Sequence, residues 1–202
     1  MACPKQKHFN GTRCVFNKDR WQDQNYAGQR NASPQIVKHL PKMPVYVEPF
    51  AGHAYTAQRI WKDPKVKKVV LADINCEATD WLKRSRNVPD NTIIKCPQDW
   101  KKTTTQHDSN DTLTFFDPPW SKSNGLRGCY EKYNGNCGSD KLTQAVIEKA
   151  SHLKGKAAII LRDTPEYRAM LCKRGGGVHM PYYSRHDAGL RRQGPLQGAI
   201  GG

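Results

Sequence analysis

The chain has 202 residues, 33 lysines and arginines against 18 aspartates and glutamates, and a formal charge of +15 at neutral pH. That length suits one domain with a sizeable core, and a charge excess of that size points to a polyanionic partner through phosphate neutralisation. No apolar stretch approaches a membrane span, no hydrophobic segment follows the first lysines, and seven scattered cysteines do not outline a disulfide framework. A membrane partner is therefore not expected, and an intracellular, reducing compartment (cytoplasm or nucleus) with free thiols is.

Residues 1–23 read as polar and irregular, and irregularity is expected to continue to about Lys42, interrupted by a helix over Pro34–Leu40 behind the Ser33 cap. Cys3, His8 and Cys14 fit no standard zinc spacing, so no metal is expected. Val45–Val47 predicts a short buried strand that runs into the loop Glu48-Pro49-Phe50-Ala51-Gly52, followed by a helix over His53–Trp61. Lys68–Ala72 predicts a second strand ending at Asp73, and Glu77–Arg86 a helix halted ahead of Pro89. Thr92–Lys95 and Leu113–Phe116 predict a third and a fourth strand, with a polar segment, Lys101–Asp111, between them.

Further along, Leu142, Val146, Ile147 and Ala150 share one face of a helix over Lys141–His152. Ala157–Leu161 predicts a fifth strand, and Pro165 opens a helix through Leu171. Strands alternating with helices across short connections predict a doubly wound, Rossmann-like α/β sheet, because parallel strands need crossovers. A single catalytic domain is expected over residues 1–183, with a flexible basic, glycine-rich tail over 184–202.

In such sheets ligands bind beyond the carboxyl ends of the strands, and this chain carries its least ordinary residues there. Glu48 to Gly52 follow the first strand, Asp73 the second, Asp99-Trp100 the third, and Asp117-Pro118-Pro119-Trp120 the fourth. Two consecutive prolines forbid continuation of strand or helix and hold a rigid turn that presents one carboxylate and fixed carbonyls. An acid after the second strand is where a nucleoside ribose is held.

The series Tyr26-Ala27-Gly28-Gln29-Arg30, Glu48-Pro49-Phe50-Ala51-Gly52, Ala72-Asp73-Ile74, Asp99 and Asp117-Pro118-Pro119-Trp120 resembles the Dam-like adenine-N6 DNA methyltransferases in order and spacing, over about residues 24–172. The resemblance implies a methyltransferase with S-adenosylmethionine as donor. It implies that Glu48, Pro49, Phe50, Ala51, Gly52 and His53 line the methionine and sulfonium end, and that Asp73 holds the ribose. It further implies Ile74 against the donor adenine, Asp99 with Trp100 at its exocyclic amine, and Tyr26, Gly28 and Arg30 at its carboxylate end. The family commonly has glycine where this chain has Ala54, and a second glycine and a lysine where it has Gln29 and Arg30. It also usually inserts a target-recognition domain where this chain has only Lys101–Asp111.

At the target, the Asp117 carboxylate and the Pro118 carbonyl would accept both hydrogens of an adenine amine, localising its lone pair toward the methyl group, with Pro119 stiffening the turn. Trp120 offers a face for an extruded base. Lys122, Arg127, Tyr130, Lys132 and Tyr133 mix cations with aromatics as strand-binding loops do. DNA is the favoured substrate. RNA stays open because the chemistry at the amine is unchanged. So does a non-catalytic nucleic-acid-binding subunit, or a partner subunit that supplies target recognition.

Overall fold

The computed structural model describes residues 7–9, 14–16, 33–84, 87–119, 139–161 and 164–173. In chain order these form β1 (Lys7–Phe9), β2 (Cys14–Phe16), α1 (Ser33–His39), β3 (Val45–Glu48), α2 (Ala57–Ile60), β4 (Lys68–Ala72) and α3 (Cys76–Lys83). They continue with β5 (Thr92–Lys95), α4 (Trp100–Gln106), β6 (Thr112–Phe116), α5 (Asp140–Ala150), β7 (Lys156–Ile159) and α6 (Pro165–Lys173).

The five strands β3 to β7 form one parallel sheet in the order β5-β4-β3-β6-β7. The chain winds outward from β3 through β4 to β5, crosses back to β6, and winds outward again to β7. The switch point therefore lies between β3 and β6, which pair with Val47 opposite Thr114. All five residues of β6 are buried, whereas the edge strands β5 and β7 contain no fully buried residue. Continuous burial is why the central strands read as unbroken apolar runs rather than alternating ones. On one face Tyr46, Val69, Leu71, Leu113 and Phe115 pack with Ile36 of α1, Ala57 and Ile60 of α2, and Leu82 of α3, and the rings of Tyr46 and Phe115 stack at 6.3 Å.

Three expectations are corrected, and one segment without an assigned structure proves helical. The N-terminal segment is not wholly irregular, since β1 and β2 pair antiparallel with His8 opposite Val15. The helix expected over His53–Trp61 shortens to Ala57–Ile60, because Gly52 and Ala54 take left-handed φ values of 48° and 51° that no α-helix contains. The polar segment after Trp100 opens as helix α4, in spite of three consecutive β-branched threonines. Asp99 caps it by accepting from the Lys101 and Lys102 amides at 2.8 and 3.2 Å, and the Thr103 and Thr104 hydroxyls donate back to the Asp99 and Trp100 carbonyls. Free thiols are not what Cys76 and Cys96 present: they are disulfide-bonded with Cα atoms 5.4 Å apart. Pairing Ala72 with Lys95 across β4 and β5 brings the segments that follow together, which a separation of 20 residues conceals.

Smaller shifts concern boundaries. Asn75 caps α3 by accepting from the Glu77 amide at 3.0 Å, so the helix starts one residue earlier than expected, and α6 runs to Lys173. The Tyr167 hydroxyl of α6 donates to Asp140 at the start of α5 at 2.8 Å, joining the last two helices.

Candidate active site

Three carboxylates gather at the carboxyl ends of three adjacent strands: Glu48 ends β3, Asp73 follows β4 and Asp117 follows β6. The turn after β3 is drawn over β4 by bonds from two of its main-chain amides. The Ala51 amide donates to the Ala72 carbonyl at 2.9 Å, and the Gly52 amide donates to Asp73 Oδ2 at 2.8 Å. Asp73 Oδ1 accepts from the Asn75 amide at 2.9 Å, so the acid is oriented by both flanking loops. Gly52 holds a left-handed φ of 48° in this turn, where a residue with a β-carbon would be strained.

Glu48 is buried, 3% exposed, and its Oε2 accepts the Tyr46 hydroxyl at 3.0 Å. Burial pushes its carboxyl well above the usual carboxylate range. The Tyr46 hydroxyl and the Ala57 amide pull it back, and the charges of Asp117 and Asp73 push it further up. Burial also raises Asp73, against the opposing bonds from the Asn75, Gly52 and Ile74 amides and the charge of His53. Because the charges of Asp117 and Asp73 oppose ionisation of Glu48, a cation placed among the three would favour its charged form.

Beside Asp73, Ile74 is 64% exposed, an unusual position for a large aliphatic side chain next to a carboxylate. The far wall is aromatic. Phe50 lies 5.6 Å from Trp100, and Trp100 meets the edge of Phe116 at 6.4 Å, so the loops after β3 and β5 and the end of β6 join in one run. Pro118 is buried and Pro119 half-buried. The ring of His53 lies 5.6 Å from that of Tyr55, and its carbonyl accepts from Gln58 at 2.7 Å.

Residues 26–90 match the family model for D12 class N6 adenine-specific DNA methyltransferase. Over that stretch the chain is similar to the D12 class. The match supports S-adenosylmethionine-dependent methylation of adenine N6 in DNA, and the class implies that donor and a nucleic-acid substrate. The D12 segment carries Glu48 to His53, Asp73 and Ile74; Asp99, Trp100 and Asp117 to Trp120 lie beyond it. No curated protein and no solved structure matches the chain.

The structure brings together Glu48, Pro49, Phe50, Ala51, Gly52, Asp73, Trp100 and Asp117 of the expected site. Asp99 is exposed, and one of its oxygens caps α4. Tyr26, Gly28, Arg30, Trp120, Lys122, Arg127, Tyr130, Lys132 and Tyr133 lie outside the described residues. No three His, Cys, Asp or Glu side chains among the described residues are grouped to hold a metal ion, and no described helix is long and apolar enough to cross a membrane.

Two residues were missed. Tyr46 is two positions before Glu48 on a strand, so the period of two already put both on one face. Gln98 gave no signal: its amide donates to the Asp73 carbonyl at 2.9 Å, and its Nε2 is buried with no acceptor among the described residues.

Proposed function

We propose that the chain is a site-specific adenine-N6 DNA methyltransferase whose donor lies across the carboxyl ends of β3 and β4 and whose target base meets Asp117. The observation that carries this reading is the convergence of Glu48, Asp73 and Asp117 at the switch point of a parallel sheet, with the D12 segment supplying the first two. The donor brings a sulfonium and an ammonium, two cations for a site built of acids.

The residues fit that group. Asp73 accepts the Gly52, Asn75 and Ile74 amides, and the carboxylate keeps acceptor capacity for a ribose hydroxyl. Exposed Ile74 offers an apolar face to a purine. The orphaned Gln98 Nε2 would gain an acceptor on a nucleoside, offsetting the roughly 1–3 kcal/mol that an unmet buried donor costs.

When bound, S-adenosylmethionine supplies the electrophilic methyl group. The protein supplies position and electrostatics. Asp117 and the Pro118 carbonyl accept the hydrogens of the adenine amine and direct its lone pair along the line of transfer, and the stiff prolines leave little reorganisation for the reaction itself. Lys122, Arg127, Tyr130, Lys132 and Tyr133 would track the phosphate backbone of a strand whose base is extruded. Residues 1–183 would act as one catalytic domain.

The deciding experiment is methyl transfer from labelled S-adenosylmethionine to duplex DNA, single-stranded DNA and RNA in parallel, beside Asp117→Ala. Label in N6-methyladenine of DNA that disappears with Asp117→Ala supports the reading. Label in RNA alone moves the substrate class, and donor binding without transfer points to a missing partner subunit. Absence of donor binding rejects the reading.

A further inference from the structure

Tyr46 and Glu48 are the first and third of the last three residues of β3, and their side chains meet on the helix-covered face. Tyr46 is 1% exposed and is a core residue by every packing measure: it stacks on Phe115 and joins the cluster with Val69, Leu71 and Leu113. A phenylalanine would pack as well. Its hydroxyl is the exception, since a buried tyrosine oxygen needs a partner, and the partner it has is a carboxylate of the candidate donor site.

We propose that Tyr46 is a positioning residue for the methyl donor: its hydroxyl, donating to Glu48 Oε2, holds that carboxylate at the carboxyl end of β3 so that it meets the donor's positive charge. The consequence is selectivity for charge. S-adenosylmethionine carries a sulfonium, and its demethylated product, S-adenosylhomocysteine, a neutral thioether. Once ionised, a carboxylate fixed in place favours the first over the second, which speeds exchange of spent product for fresh donor. The inference rests on the reading of Glu48 as part of the donor site.

The groups that face Glu48 pull its ionisation in both directions. The Tyr46 hydroxyl from β3 and the Ala57 amide from α2 favour its charged form, whereas burial and the charges of Asp117 after β6 and Asp73 after β4 oppose it. His53 acts on Asp73 rather than on Glu48. Removing the hydroxyl therefore removes the leading favourable contact and leaves every unfavourable one, so Glu48 needs a higher pH to ionise.

The test is calorimetric affinity for S-adenosylmethionine and for S-adenosylhomocysteine across acidic to alkaline pH. The proteins are wild type, Tyr46→Phe, Glu48→Gln and the double variant. Wild type is expected to prefer the charged ligand. Tyr46→Phe should lose about tenfold of that preference on the acidic side, the worth of one hydrogen bond to a charged group, and regain it as pH rises. Glu48→Gln should lose it at every pH, and Tyr46→Phe should add nothing in the double variant. A purely structural tyrosine would weaken both ligands alike, so an unchanged ratio in Tyr46→Phe at all pH values overturns the inference. If Tyr46→Phe does not fold, Glu48→Gln alone decides, and an unchanged preference in that variant overturns the inference. If wild type binds neither ligand, it is the donor-site reading that fails.

Discussion

The Asp73 carboxylate accepts the Gly52 amide across 21 residues of chain at 2.8 Å, and this bond ties the turn after β3 to the end of β4. One side chain thereby shapes the wall of the crevice while standing in it. Asp73→Ala should leave the Gly52 and Asn75 amides without their acceptor, at about 1–3 kcal/mol for each donor left unmet. It should also abolish measurable donor affinity. Asp73→Asn keeps one oxygen and should cost about half as much. Urea denaturation and ligand calorimetry on the two variants check both effects together, and a stable Asp73→Ala that still binds donor would contradict the assignment.

Glu48 makes stability depend on pH with a defined sign. Its folded pKa lies well above the ordinary carboxylate value, chiefly through burial, so the folded state holds the proton more tightly than the unfolded one. The resulting stability is fully present below the ordinary carboxylate pKa and is lost as pH rises through the elevated one. Asp73 acts in the same direction. Glu48→Gln removes the titration, so its urea midpoint should overtake that of wild type progressively as pH rises toward neutrality and beyond. Parallel pH profiles for the two proteins would show that Glu48 is not buried as described.

Ala54 holds a φ of 51° with no surface exposed. A left-handed conformation costs a residue with a β-carbon about 1–2 kcal/mol, whereas loss of one buried methyl costs about 1 kcal/mol. Ala54→Gly is therefore expected to be neutral or to stabilise by up to about 1 kcal/mol. Ala57→Gly, at the first position of α2, should destabilise by about 1 kcal/mol. Thermal midpoints of the pair provide the check, and equal losses in both would remove the strain at Ala54.

Gly155 lies at the opposite end of the sheet from the crevice, just before β7. A β-carbon there would overlap the Thr112 and Ser109 carbonyl oxygens, both main-chain atoms that cannot swing aside. Its amide and that of Lys154 converge on Asp108 Oδ1 at 3.2 and 2.9 Å. Gly155→Ala is expected to lower stability by about 1–3 kcal/mol, in the range of other overpacked sites, while donor affinity at a permissive temperature stays that of wild type. Circular dichroism melts and calorimetry separate the two effects.

Much of the crevice was legible because proline and glycine act locally. Pro118 and Pro119 stop β6 whatever surrounds them, and Gly52 permits a reversal that other residues resist, so the strand ends stood out in the chain. The central strands were legible for a related reason: parallel strands covered on both faces leave unbroken apolar runs such as Val69-Val70-Leu71-Ala72. Helix α4 was not, because its threonines have weak helical propensity, and burial and back-bonding of Thr103 and Thr104 together with the Asp99 cap hold it.

By itself the sequence determined the strand-and-helix alternation, the acids at the strand ends and the basic charge that suits a polyanion, all of which follow from residue types and short spacings. Only the tertiary structure decided the partners. It joined Cys76 to Cys96, set Gly52 on Asp73, ran Phe50, Trp100 and Phe116 along one wall, and gave Ala54 a conformation usually left to glycine. Each of these depends on which strand lies beside which. That order is a property of the folded sheet, where residues 20 or more positions apart become neighbours, and no local spacing encodes it.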